Sequence, residues 1–261
     1  MELSLKGKTA LVCGSSQGIG KAVAIELSLL GASCILLARS SSSLQQAVEE
    51  LDTSAGQQHA FHAVDFQDAV ALEKLVGQLV SQQGIDILIN NTGGPAAGPI
   101  ASATVPAFEN AFRQHLVCNH ILAQAVIPGM KEKGWGRIIN VISTSVRIPL
   151  DNLGVSNTIR AAVASWSKTL SNELAQFGIT VNSLLPGFIS TSRLEAVAEG
   201  FAARESVSKE EMQSRMKASV PAKRFGSPQE IAAVAAFVAS PAASYINGIT
   251  IPVDGGRTGS I

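Results

Sequence analysis

A short apolar run, Thr9 to Cys13, passes directly into Gly14-Ser15-Ser16-Gln17-Gly18-Ile19-Gly20 and then into a helical pattern. Few folds accept such a junction. Glycine lets the backbone come close to a ligand, and the helix behind it presents free N–H groups and partial positive charge. A glycine-rich string carries little weight alone. Set between a strand and a helix in the first βα unit, it predicts a pyrophosphate-binding turn, and hence a dinucleotide site, at Gly14 to Gly20. Without a ligand it would be only a tight βα turn.

The remaining chain repeats the unit. Strands are predicted at Cys34–Ala38, His59–Val64, Ile85–Asn90, Arg137–Ile142, Ile179–Leu184 and Gly248–Val253. Helices are predicted at Ile19–Leu30, Leu44–Leu51, Ala69–Val80, Pro106–Met130, Asn152–Phe177 and Pro228–Ala239. Residues 190–220 read as helical but irregular. Hydrophobic residues make up 46% and charged residues 15%. That is enough apolar material for a mainly parallel sheet covered on both faces. The expectation is an α/β chain with one Rossmann-type, doubly wound, seven-stranded sheet and a single domain over residues 1–261.

Charge and cysteine usage narrow the function classes. The formal net charge is zero and Lys and Arg are scattered, which argues against nucleic acid or an anionic membrane as partner. Cys13, Cys34 and Cys118 lie in apolar surroundings and read as reduced core thiols. His59 and His62 flank a strand-like run without metal-ligand spacing, so no metal is expected. No targeting segment is visible, and the longest apolar stretch, Ile231 to Ala239, is far shorter than the ~20 residues a bilayer requires. A soluble, cytoplasmic protein is expected.

The spacing Gly-x-x-x-Gly-x-Gly resembles that of the short-chain dehydrogenase/reductase family, and further motifs extend the resemblance along the whole chain. Asp65 and Phe66 follow the third strand. Asn90-Asn91-Thr92-Gly93 resembles the family's Asn-Asn-Ala-Gly. Gly136 to Ser143 matches the strand that ends in the catalytic serine. Leu185-Pro186-Gly187-Phe188-Ile189-Ser190-Thr191 matches the segment over the nicotinamide. Arg224 to Pro228 and Val253 to Gly256 match C-terminal landmarks. The general likeness is to the 3-oxoacyl-carrier-protein reductase group. It implies one doubly wound domain, commonly in a homotetramer, with a substrate lid at about 188–220. It also implies cofactor contacts from Asp65, Phe66, Asn91, Thr92, Gly93, Pro186, Gly187, Ile189 and Thr191.

The residue ending the second strand discriminates between cofactors. A carboxylate there would bind a ribose 2′-OH. This chain has Ala38 followed by Arg39 and Ser40, which favours NADP(H) over NAD(H), because a guanidinium can grip a 2′-phosphate.

One family motif is absent. The resemblance implies a catalytic tetrad of asparagine, serine, tyrosine and lysine. Ser143 matches the serine. The Tyr-x-x-x-Lys segment reads Ser156-Asn157-Thr158-Ile159-Arg160, and the one tyrosine, Tyr245, is far away. The asparagine slot falls on His115, or on Asn119 one turn later. An alkyl alcohol is a far weaker acid than a phenol of pKa about 10, and arginine does not relay protons. Arg160 can still hold the ribose and a developing negative charge. His115 is expected either to titrate near neutrality or to be a packed helix histidine. Arg147 is expected at the cleft edge or, more simply, at the surface.

The leading expectation is an NADPH-dependent oxidoreductase that reduces a carbonyl or an activated alkene, with Ser143, Ser156, Arg160 and His115 at its reaction end. A cofactor-binding regulatory subunit without turnover, and a lyase or isomerase on the same fold, stay open. Phe188, Leu194, Val197, Phe201, Met212 and Met216 suggest a partly hydrophobic small-molecule substrate unless they pack against the body. Ala161, Ala162, Ala164 and Ser165 suit close helix packing in a homo-oligomer, as in the family.

Overall fold

The computed structural model describes residues 1–259. Its sheet contains β1 (Thr9–Cys13), β2 (Ser33–Ala38), β3 (Ala60–Ala63), β4 (Ile87–Asn90), β5 (Gly136–Val141), β6 (Ile179–Pro186) and β7 (Thr250–Val253). The order is β3-β2-β1-β4-β5-β6-β7. Every neighbouring pair is parallel, so the sheet is parallel throughout and not merely mainly so. Helical crossovers return the chain to the same end of the sheet each time, which forces this outcome.

The helices are α1 (Gly18–Leu29), α2 (Ser41–Glu49), α3 (Ala69–Gln82), α4 (Val105–Phe112), α5 (Cys118–Lys133), α6 (Gly154–Leu174), α7 (Ser192–Glu205), α8 (Lys209–Ala218) and α9 (Pro228–Ala239). Successive strand residues feed two cores. Ala10 and Val12 of β1 pack with α1, α2 and α9 on one face. Leu11 and Cys13 pack with α3 and α5 on the other. Both faces are apolar, so the strands read as unbroken apolar runs and not as alternations.

The helix expected over Pro106–Met130 is not one regular helix. α4 passes through a π turn, Arg113–Val117, into α5. The extra residue in that turn carries His115 and shifts the helical phase, which an apolar periodicity cannot reveal. The helix expected over Asn152–Phe177 starts at Gly154 and ends in a 3₁₀ turn, Ala175–Phe177. The irregular stretch resolves into α7 and α8, whose Leu194, Ala198, Ala202, Met212 and Met216 form a small core of their own.

The first βα junction is held by close backbone packing. A Cβ on Gly20 would collide with the Gly14 carbonyl oxygen, and one on Gly14 with the Asn91 carbonyl oxygen. Gly14 also has a φ of 59°. Asn91 Nδ2 donates to the carbonyls of Cys13 (3.3 Å) and Gly14 (3.2 Å), tying the turn to the segment after β4. We expect Gly20→Ala to destabilise the protein by about 1–3 kcal/mol, as overpacking does. Calorimetry should show Tm lower by about 2–10 °C.

Candidate active site

Strand order reverses between β1 and β4, and a crevice opens outside the carboxyl ends of the strands there, where doubly wound sheets bind ligands. The cleft holds about 730 Å³. That volume lies within the usual range for small-molecule and cofactor sites.

Its first part is the glycine turn. Gly14, Ser16, Gln17, Gly18 and Ile19 line the cleft. α1 starts without a side-chain cap, so its first N–H groups have no side-chain acceptor and remain for a ligand anion. Two expected contacts are corrected. Ser15 is fully buried, its hydroxyl donating to the Val12 carbonyl (2.9 Å), and Gly20 packs on Gly14. Both shape the turn from behind and do not line the cleft.

Arg39, Ser40, Asp65 and Phe66 line the far end, joined by Ser43. Ser40 caps α2 by accepting from the Ser43 N–H (3.3 Å). Arg39 is exposed and has no carboxylate within ion-pair distance among the described residues. A free guanidinium, two hydroxyls and no acid at Ala38 fit the 2′-phosphate of NADP(H). The uncapped α1 end fits its pyrophosphate.

The opposite end gathers the expected reaction residues. The loop before α6 is pinned to the loop after β4, with Gly98 N donating to the Asn152 carbonyl (2.7 Å) and Gly154 N to that of Gly98 (3.2 Å). This anchors the start of α6, which brings Ser156 and Arg160 into the cleft. Ser143 also lines it and accepts from the Ser145 N–H (3.1 Å), leaving its own O–H to donate. Arg160 Nε donates to Ser156 Oγ (3.2 Å), and Nη1 donates to the carbonyls of Val141 (3.3 Å) and Ile142 (3.0 Å). The guanidinium is thus fixed over the end of β5. Burial, reinforced by nearby Arg193, pushes its pKa down to about 10, so it stays charged at neutral pH.

His115 differs from one of its two expectations. It is buried behind Thr92, with Nδ1 and Thr92 Oγ1 2.6 Å apart, and does not line the cleft. Burial first, then the charges of Arg160 and Arg193, push its pKa down to about 3. The imidazole is neutral at physiological pH and does not titrate near neutrality. Its Nε2 is buried without a partner. Asn119 is also buried and outside the cleft.

Thr92, Gly93, Asn91, Pro186, Gly187, Ile189 and Thr191 all line the cleft. Arg147 does not. It is exposed and donates to the Thr250 carbonyl (3.1 Å) beside β7. Phe188, Leu194 and Val197 face the cleft, whereas Phe201, Met212 and Met216 pack inside the α7–α8 layer. Sequence reasoning missed Gly94, Gln114, Leu150, Leu153, Ser192 and Arg193. Arg193 had a readable signal, a cation in the first turn of a helix where the dipole disfavours it.

The three cysteines are buried and free, and burial pushes Cys34 up to about 12 and Cys118 to about 11. His59 Nδ1 accepts from the Cys34 N–H (3.1 Å), a structural role at the sheet edge. No cluster of His, Cys, Asp and Glu suited to a metal, and no helix long and apolar enough to cross a membrane, occurs among the described residues.

Residues 14–258 match a family model described as enoyl-(acyl carrier protein) reductase. The chain is 34% identical over 256 residues to the NADPH-dependent reductase BacG of Bacillus subtilis (strain 168), covering 97% of this chain and 99% of that protein. It is 36% identical over 258 residues to the 3-oxoacyl-[acyl-carrier-protein] reductase FabG of Vibrio cholerae serotype O1, covering 97% and 98%. Among solved structures it is similar to L-sorbose reductase from Gluconobacter frateurii complexed with NADPH and L-sorbose. The TM-score is 0.92 at 30% identity, with 100% of both chains covered.

The depressed His115 pKa sets a pH dependence. Folded His115 refuses a proton down to about pH 3, whereas the unfolded residue takes one near its ordinary 6.5. Stability is therefore lost as pH falls through that window. At pH 5 the loss should be about 2 kcal/mol relative to pH 7.5. Urea unfolding of His115→Asn at the two pH values should show a pH-dependent loss smaller by about that amount.

Proposed function

The chain belongs to the short-chain dehydrogenase/reductase family, and from that premise we propose that it is an NADPH-dependent oxidoreductase whose non-standard reaction end suits an activated acceptor. The observation that carries this reading is the joint placement of Ser143, Ser156 and Arg160 at one end of a cleft whose other end offers Arg39. The similarity to reductases that use NADPH supports the cofactor assignment. Arg39, Ser40 and Ser43 would hold the 2′-phosphate, the α1 N-terminus the pyrophosphate, and Arg160 the nicotinamide ribose. When bound, NADPH supplies a hydride.

The chain's own residues supply polarisation and charge. The Ser143 O–H donates to the acceptor oxygen, and the Arg160 guanidinium faces the negative charge that accumulates there. Ser156 accepts from Arg160 and keeps its O–H free to donate. None of these groups is a good acid near pH 7, and neutral His115 lacks the proton an imidazolium would give. The proton therefore comes from water. A conjugated carbonyl tolerates this arrangement, because its negative charge is delocalised and needs less from a strong local acid. Residues 188–220 act as the lid, and the assembly is a homotetramer, for which exposed Ala161 and Ser165 on α6 leave room for a second helix.

Two measurements test the reading. In calorimetry the protein should bind NADPH more tightly than NADH. Arg39→Ala should cost NADPH about 1.5–3 kcal/mol, about tenfold to 150-fold in Kd, and leave NADH little changed. Equal affinity for both cofactors would refute the assignment. Unactivated ketones should be reduced poorly, and Ser156→Tyr with Arg160→Lys should raise diketone reduction by up to about 10²–10⁴-fold, the range of a placed general acid. A folded, NADPH-binding double variant without gain would mean that the pocket serves another reaction or none.

A further inference from the structure

The cleft carries a second guanidinium, that of Arg193, which the reductase reading leaves unused. Arg193, in the first turn of α7, reaches back across the cleft and donates through Nη2 to the Pro95 carbonyl (2.6 Å). A Cβ placed on Gly94 would lie 3.1 Å from Arg193 Nη2 and 3.2 Å from Arg160 Nη2. The two guanidiniums thus converge on the same glycine. Neither has a carboxylate within 4.0 Å among the described residues. The α7 N-terminus adds positive potential at the same place. Both arginines have pKa values lowered by burial, and Arg193 also lowers that of Arg160.

Two like charges held together in a half-buried cleft are costly unless an anion joins them. Among the described residues Asp65 is the one carboxylate that lines the cleft, and it follows β3. β3 lies four strand spacings from β5, roughly 19 Å away. The pyrophosphate turn follows β1, two spacings from β5, roughly 10 Å. Arg160, fixed over the end of β5, therefore lies on the far side of β4 from that turn, at the end where Ser143 and Ser156 lie. Arg193 meets it at Gly94, after β4, while the neighbouring Ser192 accepts from Gln17 Nε2 of the glycine turn (3.4 Å).

We propose that Arg193, together with Arg160, docks a carboxylate of the substrate, so that the substrate is an oxo acid or unsaturated oxo acid and not a neutral ketone. Guanidinium groups match a carboxylate with paired, charge-assisted hydrogen bonds. Arg193 is then a specificity-determining residue that also closes α7 onto the loop after β4. This inference rests on the reductase reading for the location of the reacting carbonyl.

The test uses 3-benzoylpropanoate and its methyl ester, titrated by calorimetry into the protein saturated with NADP⁺. The acid should bind at least about tenfold more tightly than the ester. In Arg193→Met that ratio should fall to near one. In Arg204→Met the ratio should persist, since Arg204 reaches the same loop through the Ala97 carbonyl (3.4 Å) but does not line the cleft. NADPH affinity in Arg193→Met should fall by a smaller factor than acid affinity. A ratio near one in the unmutated protein would overturn the proposal. So would an Arg193→Met variant that loses NADPH as strongly as the acid, because the counter-ion would then be a cofactor phosphate. The assay needs no turnover. Preference for the acid without any NADPH oxidation by its conjugated analogue 3-benzoylacrylate would sink the reductase reading and leave the carboxylate site standing. Reduction of neutral enones with no preference for the acid would do the reverse.

Discussion

The close approach of Gly14, Gly20 and Asn91 is the constraint on which the rest depends. No side chain fits where the first strand turns into the first helix, because carbonyl oxygens already occupy the space on both sides. That contact sets α1 tightly against the sheet with its uncapped N-terminus over the crevice. Asn91 carries the constraint across the strand reversal, since its amide holds the Gly14 turn from the segment after β4. The glycine turn and the segment after β4 are thus parts of one hydrogen-bonded unit.

Ser156 and Arg160, proposed to stand where the family carries a phenol and an ammonium, change the electrostatics of the cleft more than its shape. Arginine three times bonded to the scaffold is a fixed charge, not a mobile proton carrier. Burial, with its field and that of Arg193 added, keeps His115 neutral, which removes the remaining acid of ordinary strength. What is left favours binding of negative charge over donation of protons. The proposed acceptor, whose charge is delocalised, rests on this substitution pattern, and the proposed anionic substrate rests on Arg193 beside it.

Much of this was legible in the residue order. The strand cores, the glycine turn and the helices from Ala69 and from Pro228 fall where periodicity and turn chemistry put them, within a few residues. Ala38 and Arg39 announced the character of the far end because a strand terminus projects its last residues into the crevice whatever the rest of the fold does. The π turn at Arg113–Val117 was not legible. It adds a residue without changing the apolar pattern, so the depth and direction of His115 were undetermined. Ser15 and Gly20 belong to the glycine motif, yet they face the strands and not the cleft. A motif records which residues a turn needs, not which of them a ligand touches.

The sequence by itself determined a parallel, doubly wound sheet, a dinucleotide turn after β1 and the absence of a phenol at the reaction end, because each rests on local pattern or on residue identity. Only the tertiary structure decided which charges meet. Arg193 lies far along the chain from Arg160 and from Gly94, and no periodicity links them. They come together because the start of α7 reaches the loop after β4, where Arg193 meets the Pro95 carbonyl. Burial at that junction, which arises only when separate helices and strands exclude water together, sets the protonation of His115 and leaves two guanidiniums facing one small space.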